Sequence, residues 1–312
     1  MGSAQAIGQV ADILEKMPGE RAAVVSATSG TTDKLIALAE VALAGGDFEA
    51  ILAEIIGRHE GIVEELGIGG LDLEPFWTQI RKLVQGISLI GELSLSAKDH
   101  LLTFGERISV HLLAGLLNKR GLKAEACDAF NFVFTDNNFG EANVDFEKTN
   151  RAVGEKIGGL LRGGVIPVIT GFVGQSAGPI GDRSDGTVPS GRQGRGQGQK
   201  SGHYITLGRG GSDYAGAIIG AALGASEVQI WTDVDGILNT DPRLVPEAKV
   251  LPQVSFNEAG ELAYFGAKVL HPKTIRPAIE KNIPVKILNT FNPSAPGTLI
   301  TNEEDSSLKA VT

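Results

Sequence analysis

The sequence is short of the residues that build disulfide scaffolds and metal clusters. Among 312 residues there is one cysteine, and there are five histidines. The single thiol, Cys127, has no partner for an internal disulfide, and no cysteine cluster can form around it. Its setting in Ala124-Glu-Ala-Cys-Asp-Ala predicts a small buried residue in or beside a strand.

Long apolar runs and an excess of positive charge are also missing. No apolar run reaches the roughly 18 residues that span a membrane, and the first residues lack the charged-then-apolar pattern of a secretory signal. The net charge is −9, which gives no sign of the basic surface that binds nucleic acids. These absences predict a cytoplasmic protein with neither a membrane nor a nucleic acid as a partner.

The sequence does contain an alternation of short apolar strands with helices, which predicts an α/β fold with a mainly parallel sheet. Strands are expected at residues 21–26, 122–126, 132–135, 165–173, 227–232, 283–288 and 297–300. Helices are expected at 4–16, 34–43, over most of 47–120 (with a strong amphipathic helix at 104–117) and at 214–223.

Residues 174–202 depart from this alternation. They include nine glycines and four lysines or arginines, with few large apolar groups. A segment of this composition buries too little surface to offset its ordering entropy, so a flexible surface insertion is predicted. Its Arg-Gln-Gly-Arg-Gly-Gln-Gly run also resembles a nucleic-acid-binding tail, but a solvated insertion is the favoured interpretation.

The segment Ile205-Thr-Leu-Gly-Arg-Gly-Gly-Ser-Asp213 carries the clearest chemical pattern. It indicates a strand end, a turn with three glycines and a helix start, where backbone amides can approach an anion closely. Arg209 adds a bidentate donor, Ser212 is predicted as the helix cap and Asp213 as the first turn. A second polar turn follows within 228–243. The pair predicts a small anionic ligand beside a nucleotide, and the alternative for either turn is tight strand–helix packing.

Seven segments then occur in a recognisable order. They are Ser26-Ala-Thr-Ser-Gly-Thr-Thr, Phe104-Gly-Glu-Arg, Leu207-Gly-Arg-Gly-Gly-Ser-Asp, Thr232-Asp-Val-Asp-Gly-Ile, Thr240-Asp-Pro-Arg, Phe265-Gly-Ala-Lys-Val-Leu-His-Pro and Asn289-Thr-Phe-Asn-Pro. Together they resemble the catalytic domain of the aspartokinases, in the amino-acid kinase family. The resemblance implies a three-layer α/β/α sandwich of the amino-acid kinase (carbamate kinase-like) fold with a mainly parallel central sheet.

The resemblance also implies an enzyme, a phosphotransferase with a carboxyl group as acceptor. It would use ATP to phosphorylate the side-chain carboxylate of L-aspartate, giving 4-phospho-L-aspartate, the first step toward lysine, threonine, methionine and diaminopimelate. A carboxylate is already an anionic nucleophile, so catalysis requires positioning and charge neutralisation rather than a general base. L-Aspartate and ATP are the expected partners, and a homodimer is compatible with the resemblance.

The resemblance assigns the amino-acid substrate to one group of residues. Glu106 would hold the α-ammonium, Arg209 would grip a carboxylate, and Asp213 would orient Arg209 or the amine. Arg209, Asp213 and Lys268 are the expected catalytic residues. The substrate-binding residues implied are Ser26, Thr32, Glu106, Arg209, Gly210, Gly211, Ser212 and Asp213. From the sequence alone, Glu106 could instead be a first-turn acid favoured by the helix dipole.

A second group is assigned to the nucleotide. Thr232 and Asp233 would contact the base or ribose, and Arg243 and Lys268 would face the phosphates. Leu238 stands where many members of the family have an aromatic residue near the nucleotide. Arg243 could instead serve the turn, and Lys268 could pair with a glutamate on a helix surface. Mg²⁺ is expected, held mostly by phosphate oxygens and water, with no protein metal ligand predicted.

The resemblance also divides the chain. Residues 1–302 would be the catalytic domain, with an amino-acid-substrate lobe to about 205, a nucleotide lobe at about 206–302 and a tail at 303–312. The family's Lys-Phe-Gly-Gly strand is not found ahead of Met1, and no feedback-binding ACT domain follows residue 301, so inhibition by threonine or lysine is not expected. The alternatives are an aspartate- or nucleotide-binding homologue with impaired catalysis, and another amino-acid kinase such as a glutamate kinase.

Overall fold

The computed structural model describes residues 1–177, 202–240, 245, 247–264 and 272–302. The helices in this part of the chain are α1 (Ala4–Lys16), α2 (Thr31–Leu43), α3 (Glu49–Leu66), α4 (Glu74–Ile90), α5 (Leu95–Leu102), α6 (Phe104–Lys119), α7 (Phe146–Arg162), α8 (Gly211–Leu223), α9 (Phe256–Tyr264) and α10 (Pro272–Glu280). The strands are β1 (Ala23–Val25), β2 (Ala124–Cys127), β3 (Phe134–Thr135), β4 (Ile166–Thr170), β5 (Val173–Ser176), β6 (Tyr204–Thr206), β7 (Val228–Thr232), β8 (Gln253–Ser255), β9 (Val285–Asn289) and β10 (Thr298–Thr301).

The strands form three sheets in the described residues, ordered β1-β4-β2, β3-β5-β6 and β7-β9-β10-β8. Five of the seven pairings are parallel, and the β5–β6 and β9–β10 pairings are antiparallel. In the first sheet β4 is central, and its five residues are all buried. The predominance of parallel pairing agrees with the α/β pattern of the sequence, since parallel strands need helices on their faces.

Apolar side chains form four clusters around these sheets. One packs helices α1 to α6 against the sheet β1-β4-β2 and includes Trp77 and Ile108. A second joins β7, β9 and β10 to α9 and α10. The remaining two lie beside β4, β5 and β6. Helix α8 supplies residues to all of the last three clusters, because it is apolar around most of its circumference.

The predicted central strand at 165–173 is wrong in one respect. The chain leaves β4 at Thr170 and begins a second strand, β5, at Val173. Between them Phe172 takes a φ of 64°, which no strand residue adopts. This turn is not evident from the apolar run Val165-Ile-Pro-Val-Ile-Thr-Gly-Phe-Val173. Contacts with distant residues, rather than local preference, hold Gly171 and Phe172 in place.

Two further expectations from the sequence concern residues that the structure describes. The insertion predicted at 174–202 begins too early, because Gly174 to Ser176 belong to β5 and pair with β6. Most of that segment, 178–201, lies outside the described residues. Cys127 is confirmed as a buried strand residue, and burial raises the pKa of its thiol to about 12. Among the described helices, none is both long enough and apolar enough to cross a membrane.

Candidate functional site

A cleft of about 350 Å³ opens where the parallel strands β1 and β4 end. The carboxyl ends of parallel strands and the amino ends of the helices that follow them are where α/β folds bind ligands. A volume of this size suits a small molecule. The cleft is lined by Ser26, Thr32, Glu106, Phe172, Gly208, Arg209, Gly210, Gly211, Ser212 and Asp213.

All eight residues that the sequence assigned to the amino-acid substrate lie in this lining. They come from three separate segments of the chain, at 26–32, 104–107 and 207–213. The fold brings these segments together because β1, helix α6 and the β6–α8 turn all pack around the end of β4. Their assignment to a substrate stays a prediction.

The glycine-rich turn depends on its glycines for shape and for space. Gly208 and Gly210 have φ angles of 82° and 70°, in the left-handed region that other residues avoid. A Cβ on Gly211 would lie 2.6 Å from the Phe172 ring. The turn can therefore fold closely against the end of β4 only with glycine at these positions.

The prediction that Ser212 caps helix α8 is wrong. The helix begins at Gly211, its N-cap is Gly210 and no side chain caps it. The Ser212 side chain instead packs against the end of β4, where a Cβ on Gly171 would come within 2.6 Å of its hydroxyl. The Gly211 N–H donates to the Gly208 carbonyl at 3.0 Å, whereas the next two N–H groups, of Ser212 and Asp213, have no capping partner among the described residues, which suits an anion.

Helix α2 also has its N-terminus at the cleft. It begins at Thr31 rather than at the predicted Lys34, and its N-cap is Gly30, with a φ of 74° and no side-chain cap. Thr32, in its first turn, lines the cleft. Two helix N-termini with glycine caps thus lie at one cleft, and both contribute positive potential to it.

Glu106 is the buried carboxyl group of the site. It lies in the first turn of α6 and is 4% exposed. Its Oε1 accepts a hydrogen bond from the backbone N–H of Ala27 at 3.1 Å, while its buried Oε2 has no hydrogen-bond partner in the part of the chain described. Burial raises the pKa of this carboxyl to about 8.

Such an arrangement does not fit the alternative of a first-turn acid at a helix surface. A helix-dipole acid needs no burial, and a buried carboxylate with an unpaired oxygen is costly. The cost is explained if a cationic group of a ligand completes the site. Gly105 permits the close approach, since a Cβ there would lie 2.6 Å from the Cβ of Ala27.

Asp213 and Arg209 complete the charges of the cleft. Burial raises the pKa of Asp213 to about 6, so it is largely ionised at neutral pH. The Arg209 side chain is exposed, and within the described residues it forms no ion pair, with Asp213 or with any other carboxylate. No described carboxylate therefore occupies the Arg209 guanidinium, and the expectation that Asp213 orients Arg209 or the substrate amine stays a prediction.

Phe172 was missed by the sequence analysis although it lines the cleft. Its N–H donates to the Gly211 carbonyl at 3.2 Å, and its carbonyl accepts from Leu207 N–H at 2.9 Å. These bonds hold its backbone at the positive φ, a conformation that costs a non-glycine residue roughly 1–3 kcal/mol and is concentrated at functional sites. The available signal was its place directly after a buried parallel strand and a glycine.

The residues assigned to the nucleotide lie elsewhere. Thr232 ends β7, its hydroxyl donates to Asp233 at 3.2 Å, and Leu238 forms an isolated bridge with Val250. None of these lines the 350 Å³ cleft. Arg243 and Lys268 fall outside the described residues, so the structure tests neither assignment.

Two of the seven motifs do meet beyond the cleft. Asp235 accepts hydrogen bonds from the side-chain amides of Asn289, at 2.8 Å, and Asn292, at 3.2 Å. The backbone N–H of Thr290 donates to the Thr232 carbonyl at 2.8 Å. The segments that begin at Thr232 and Asn289 therefore form one polar edge at the ends of β7 and β9.

Comparison with known proteins points in one direction. A sequence model described as the amino acid kinase family matches residues 1–289. The chain is 39% identical over 317 residues to Aspartokinase 2, chloroplastic, of Arabidopsis thaliana, covering 99% of this chain and 54% of that protein. It is 34% identical over 306 residues to Lysine-sensitive aspartokinase 3 of Escherichia coli (strain K12), covering 96% of this chain and 62% of that protein.

Solved structures agree. The crystal structure of E. coli aspartokinase III in complex with aspartate and ADP matches with a TM-score of 0.83 at 33% identity, covering 98% of this chain and 63% of that one. Clostridium acetobutylicum aspartate kinase matches with a TM-score of 0.76 at 28% identity, covering 99% and 61%. The predicted α/β fold and the resemblance to aspartokinases are confirmed. The chain spans about half the length of the curated relatives it matches, 54% and 53% for two of them.

Proposed function

The chain belongs to the amino acid kinase family, and on that premise we propose that it transfers the γ-phosphoryl group of ATP to the side-chain carboxylate of L-aspartate. The product is 4-phospho-L-aspartate. One observation carries the proposal: the buried Glu106 carboxyl, one oxygen of which has no partner among the described residues, lies in the same cleft as the Arg209 guanidinium, which pairs with no described carboxylate. A ligand with an ammonium group and carboxylates satisfies both.

The cleft suits an amino acid with two carboxylates. Glu106 takes the α-ammonium, because that cation supplies the partner that Oε2 lacks. Arg209 binds a carboxylate in bidentate fashion, and the uncapped amides at the start of α8 bind carboxylate oxygens as well. Ser26 and Thr32 add hydroxyls to the lining of the cleft. The relatives support this assignment, since the E. coli aspartokinase III structure holds aspartate and ADP.

The chemistry requires little beyond position and charge. The substrate carboxylate attacks the γ-phosphorus directly, the bond to the β-phosphate oxygen breaks, and ADP leaves with that oxygen. Negative charge spreads over the phosphoryl oxygens during transfer, so cations and amide dipoles stabilise the transition state. Asp213, ionised at neutral pH, holds the ammonium side of the substrate and keeps the acceptor carboxylate in line.

The nucleotide is assigned to the β7–β9 edge and the turn after it. Thr232, Asp233 and Leu238 contact the base and ribose, and Arg243 and Lys268 contact the phosphates. Mg²⁺ neutralises phosphate charge when it is bound. Among the described residues, no three His, Cys, Asp or Glu side chains are grouped so that they could hold a metal ion.

A coupled assay of ADP release tests the proposal. The chain should release ADP from ATP and Mg²⁺ only when L-aspartate is added. Arg209→Ala should lower kcat/KM for aspartate by roughly 100-fold or more, because it removes the bidentate carboxylate donor. The matched control is Arg81→Ala, since Arg81 pairs with Glu49 on the surface and lies outside the cleft.

Three outcomes would contradict this assignment. An unchanged kcat/KM in Arg209→Ala would remove Arg209 from the substrate site. ADP release with L-glutamate but not with L-aspartate would indicate another amino-acid kinase. Aspartate binding, detected by calorimetry, without turnover at any Mg²⁺–ATP concentration would indicate a binding protein rather than an enzyme.

A further inference from the structure

His59 lies in the middle of helix α3 and is fully buried, with 0% exposure. Its Nδ1 is 2.7 Å from the carbonyl oxygen of Ile55, and its Nε2 is 3.1 Å from the hydroxyl of Thr28. A carbonyl only accepts, so Nδ1 carries the proton and donates it to Ile55. In the neutral ring Nε2 then has a lone pair, and it accepts from Thr28.

The direction of the next bond follows. The Thr28 hydroxyl has one proton, and it gives that proton to His59. Thr28 must therefore accept from the Thr31 hydroxyl, which lies 2.6 Å away. Both threonines are 1% exposed, so water does not compete for these bonds. One proton on Nδ1 of His59 thus sets the orientation of two hydroxyls at the start of helix α2.

These hydroxyls hold the turn that forms one wall of the cleft. Ser26 and Thr32 of this turn line the cleft. Ala27, directly before Thr28, donates its backbone N–H to Glu106 at 3.1 Å. Any displacement of Thr28 therefore reaches the buried carboxylate through its neighbour. His59 itself is not among the residues that line the cleft.

We propose that His59 is a positioning residue for amino-acid binding, which acts through Thr28 and Thr31 to fix the turn that holds Glu106. The inference rests on the proposed function, because it assigns the turn to binding of the aspartate ammonium group. The hydrogen bonds of His59 to Ile55 and Thr28 also explain why this buried position holds a histidine rather than an aliphatic residue. Burial lowers the pKa of His59, which keeps the ring in the neutral form that accepts from Thr28.

The test compares two isosteric changes. Thr28→Val removes the relay hydroxyl and keeps the shape of the side chain. Thr149→Val is the matched control, because Thr149 is also fully buried and, among the described residues, its hydroxyl hydrogen-bonds to the backbone of Phe134 in β3, outside the cleft. Thr28→Val should raise KM for aspartate about tenfold and leave kcat and KM for ATP within about twofold, whereas Thr149→Val should leave all three unchanged.

Substitutions of His59 give an independent comparison. His59→Gln keeps an acceptor that can reach Thr28 and should hold KM for aspartate within about threefold of the parent value. His59→Leu keeps an apolar volume without an acceptor and should match Thr28→Val. Nitrogen-15 NMR of the parent protein should show His59 as the neutral tautomer with its proton on Nδ1, a readout that does not depend on activity.

The outcomes separate two failures. If the parent chain neither binds nor phosphorylates aspartate, the proposed function fails and this inference fails with it. If the parent is active but Thr28→Val matches Thr149→Val, only this inference is overturned. A proton on Nε2 of His59 overturns it as well, because the ring would then donate to Thr28 and could not order the two hydroxyls as described.

Discussion

At the scale of single residues, Glu106 shows how a binding residue can lower the stability of the folded protein. Its sequence context predicts a role in binding the substrate amine, but nothing in Phe104-Gly-Glu-Arg reveals that the carboxylate is buried or that one oxygen is unpaired. Burial arises from Ala27 and Gly105, which meet only in the folded chain. In the ligand-free protein this burial makes the ionised carboxylate costly and raises its pKa to about 8, so stability is reduced where a ligand will later bind.

The pH dependence follows from the raised pKa. A carboxyl group has a pKa of about 4.5 when exposed, and that of Glu106 is about 8 in the fold. Between these values the folded state binds more protons than the unfolded state, so stability falls as pH rises from about 4.5 to about 8. Below about 4.5 both states are protonated, and this cost disappears.

Glu106→Gln should consequently stabilise the ligand-free protein. The amide keeps the oxygen that accepts from Ala27 and removes the buried charge. We expect a gain of about 4 kcal/mol at about pH 8, a rise in Tm of about 6 °C that shrinks to nothing near pH 4.5, and loss of aspartate binding. Thermal melts across this range, with and without aspartate, measure both effects. A Tm difference that does not change with pH would contradict the assigned burial.

At the scale of elements, helix α8 shows how far sequence patterns reach. The helix predicted at 214–223 is present, but it starts three residues earlier, at Gly211. The sequence predicts both the apolar residues of this helix and the glycine turn before it. The turn at Gly171 and Phe172, against which α8 rests, is not evident from the sequence, because it is imposed by the hydrogen bonds that Phe172 makes with the Gly211 carbonyl and the Leu207 N–H. Local preference would continue the strand there.

Two glycines of α8 provide a matched test of this packing. A Cβ at Gly211 would lie 2.6 Å from the ring and 3.2 Å from the Cα of Phe172, whereas a Cβ at Gly216 would have nothing within 4 Å. Gly211→Ala should destabilise the protein by about 1–3 kcal/mol through overpacking. Gly216→Ala should stabilise it by about 0.5–1 kcal/mol through helix propensity. Urea unfolding of both variants measures the difference.

The two alanine variants should also separate in activity. Gly211→Ala displaces the amides at the start of α8 and should raise KM for aspartate, while Gly216→Ala should leave it unchanged. Equal stabilities for the two variants would mean that α8 does not press against Phe172. Equal activities despite unequal stabilities would mean that the amides of α8 do not contact the substrate.

At the scale of the whole molecule, the sequence predicts the order of elements better than their association. The motifs at 26–32, 104–107 and 207–213 were assigned to one substrate site, and their residues line one cleft. Their resemblance to a known family supplied that correspondence, since hydrophobic period alone would not join Glu106 to Arg209. The roles of Phe172, Thr28 and His59 were not predicted from the sequence, because they depend on contacts between residues that are far apart in the chain. The division into lobes near residue 205 stays a prediction.

That division bears on how the chain unfolds. Helix α8 contributes Ala217 to the cluster around β7 to β10, and it contributes Ile219 and Ile218 to the two clusters beside β4, β5 and β6. A helix shared in this way couples the two halves, because neither can lose it without exposing apolar surface in the other. We therefore expect a single calorimetric transition, in which the measured enthalpy equals the van 't Hoff enthalpy.

Ligand binding should move that transition as a whole. Aspartate at about 100 times its Kd should stabilise the folded state by about 2.7 kcal/mol, which corresponds to a rise of about 4 °C for a chain of this length. Arg209→Ala is the control, and it should show the same single transition without the shift. If the scan instead resolves two transitions, and aspartate raises only one of them, then the lobes unfold independently and α8 belongs to one lobe alone.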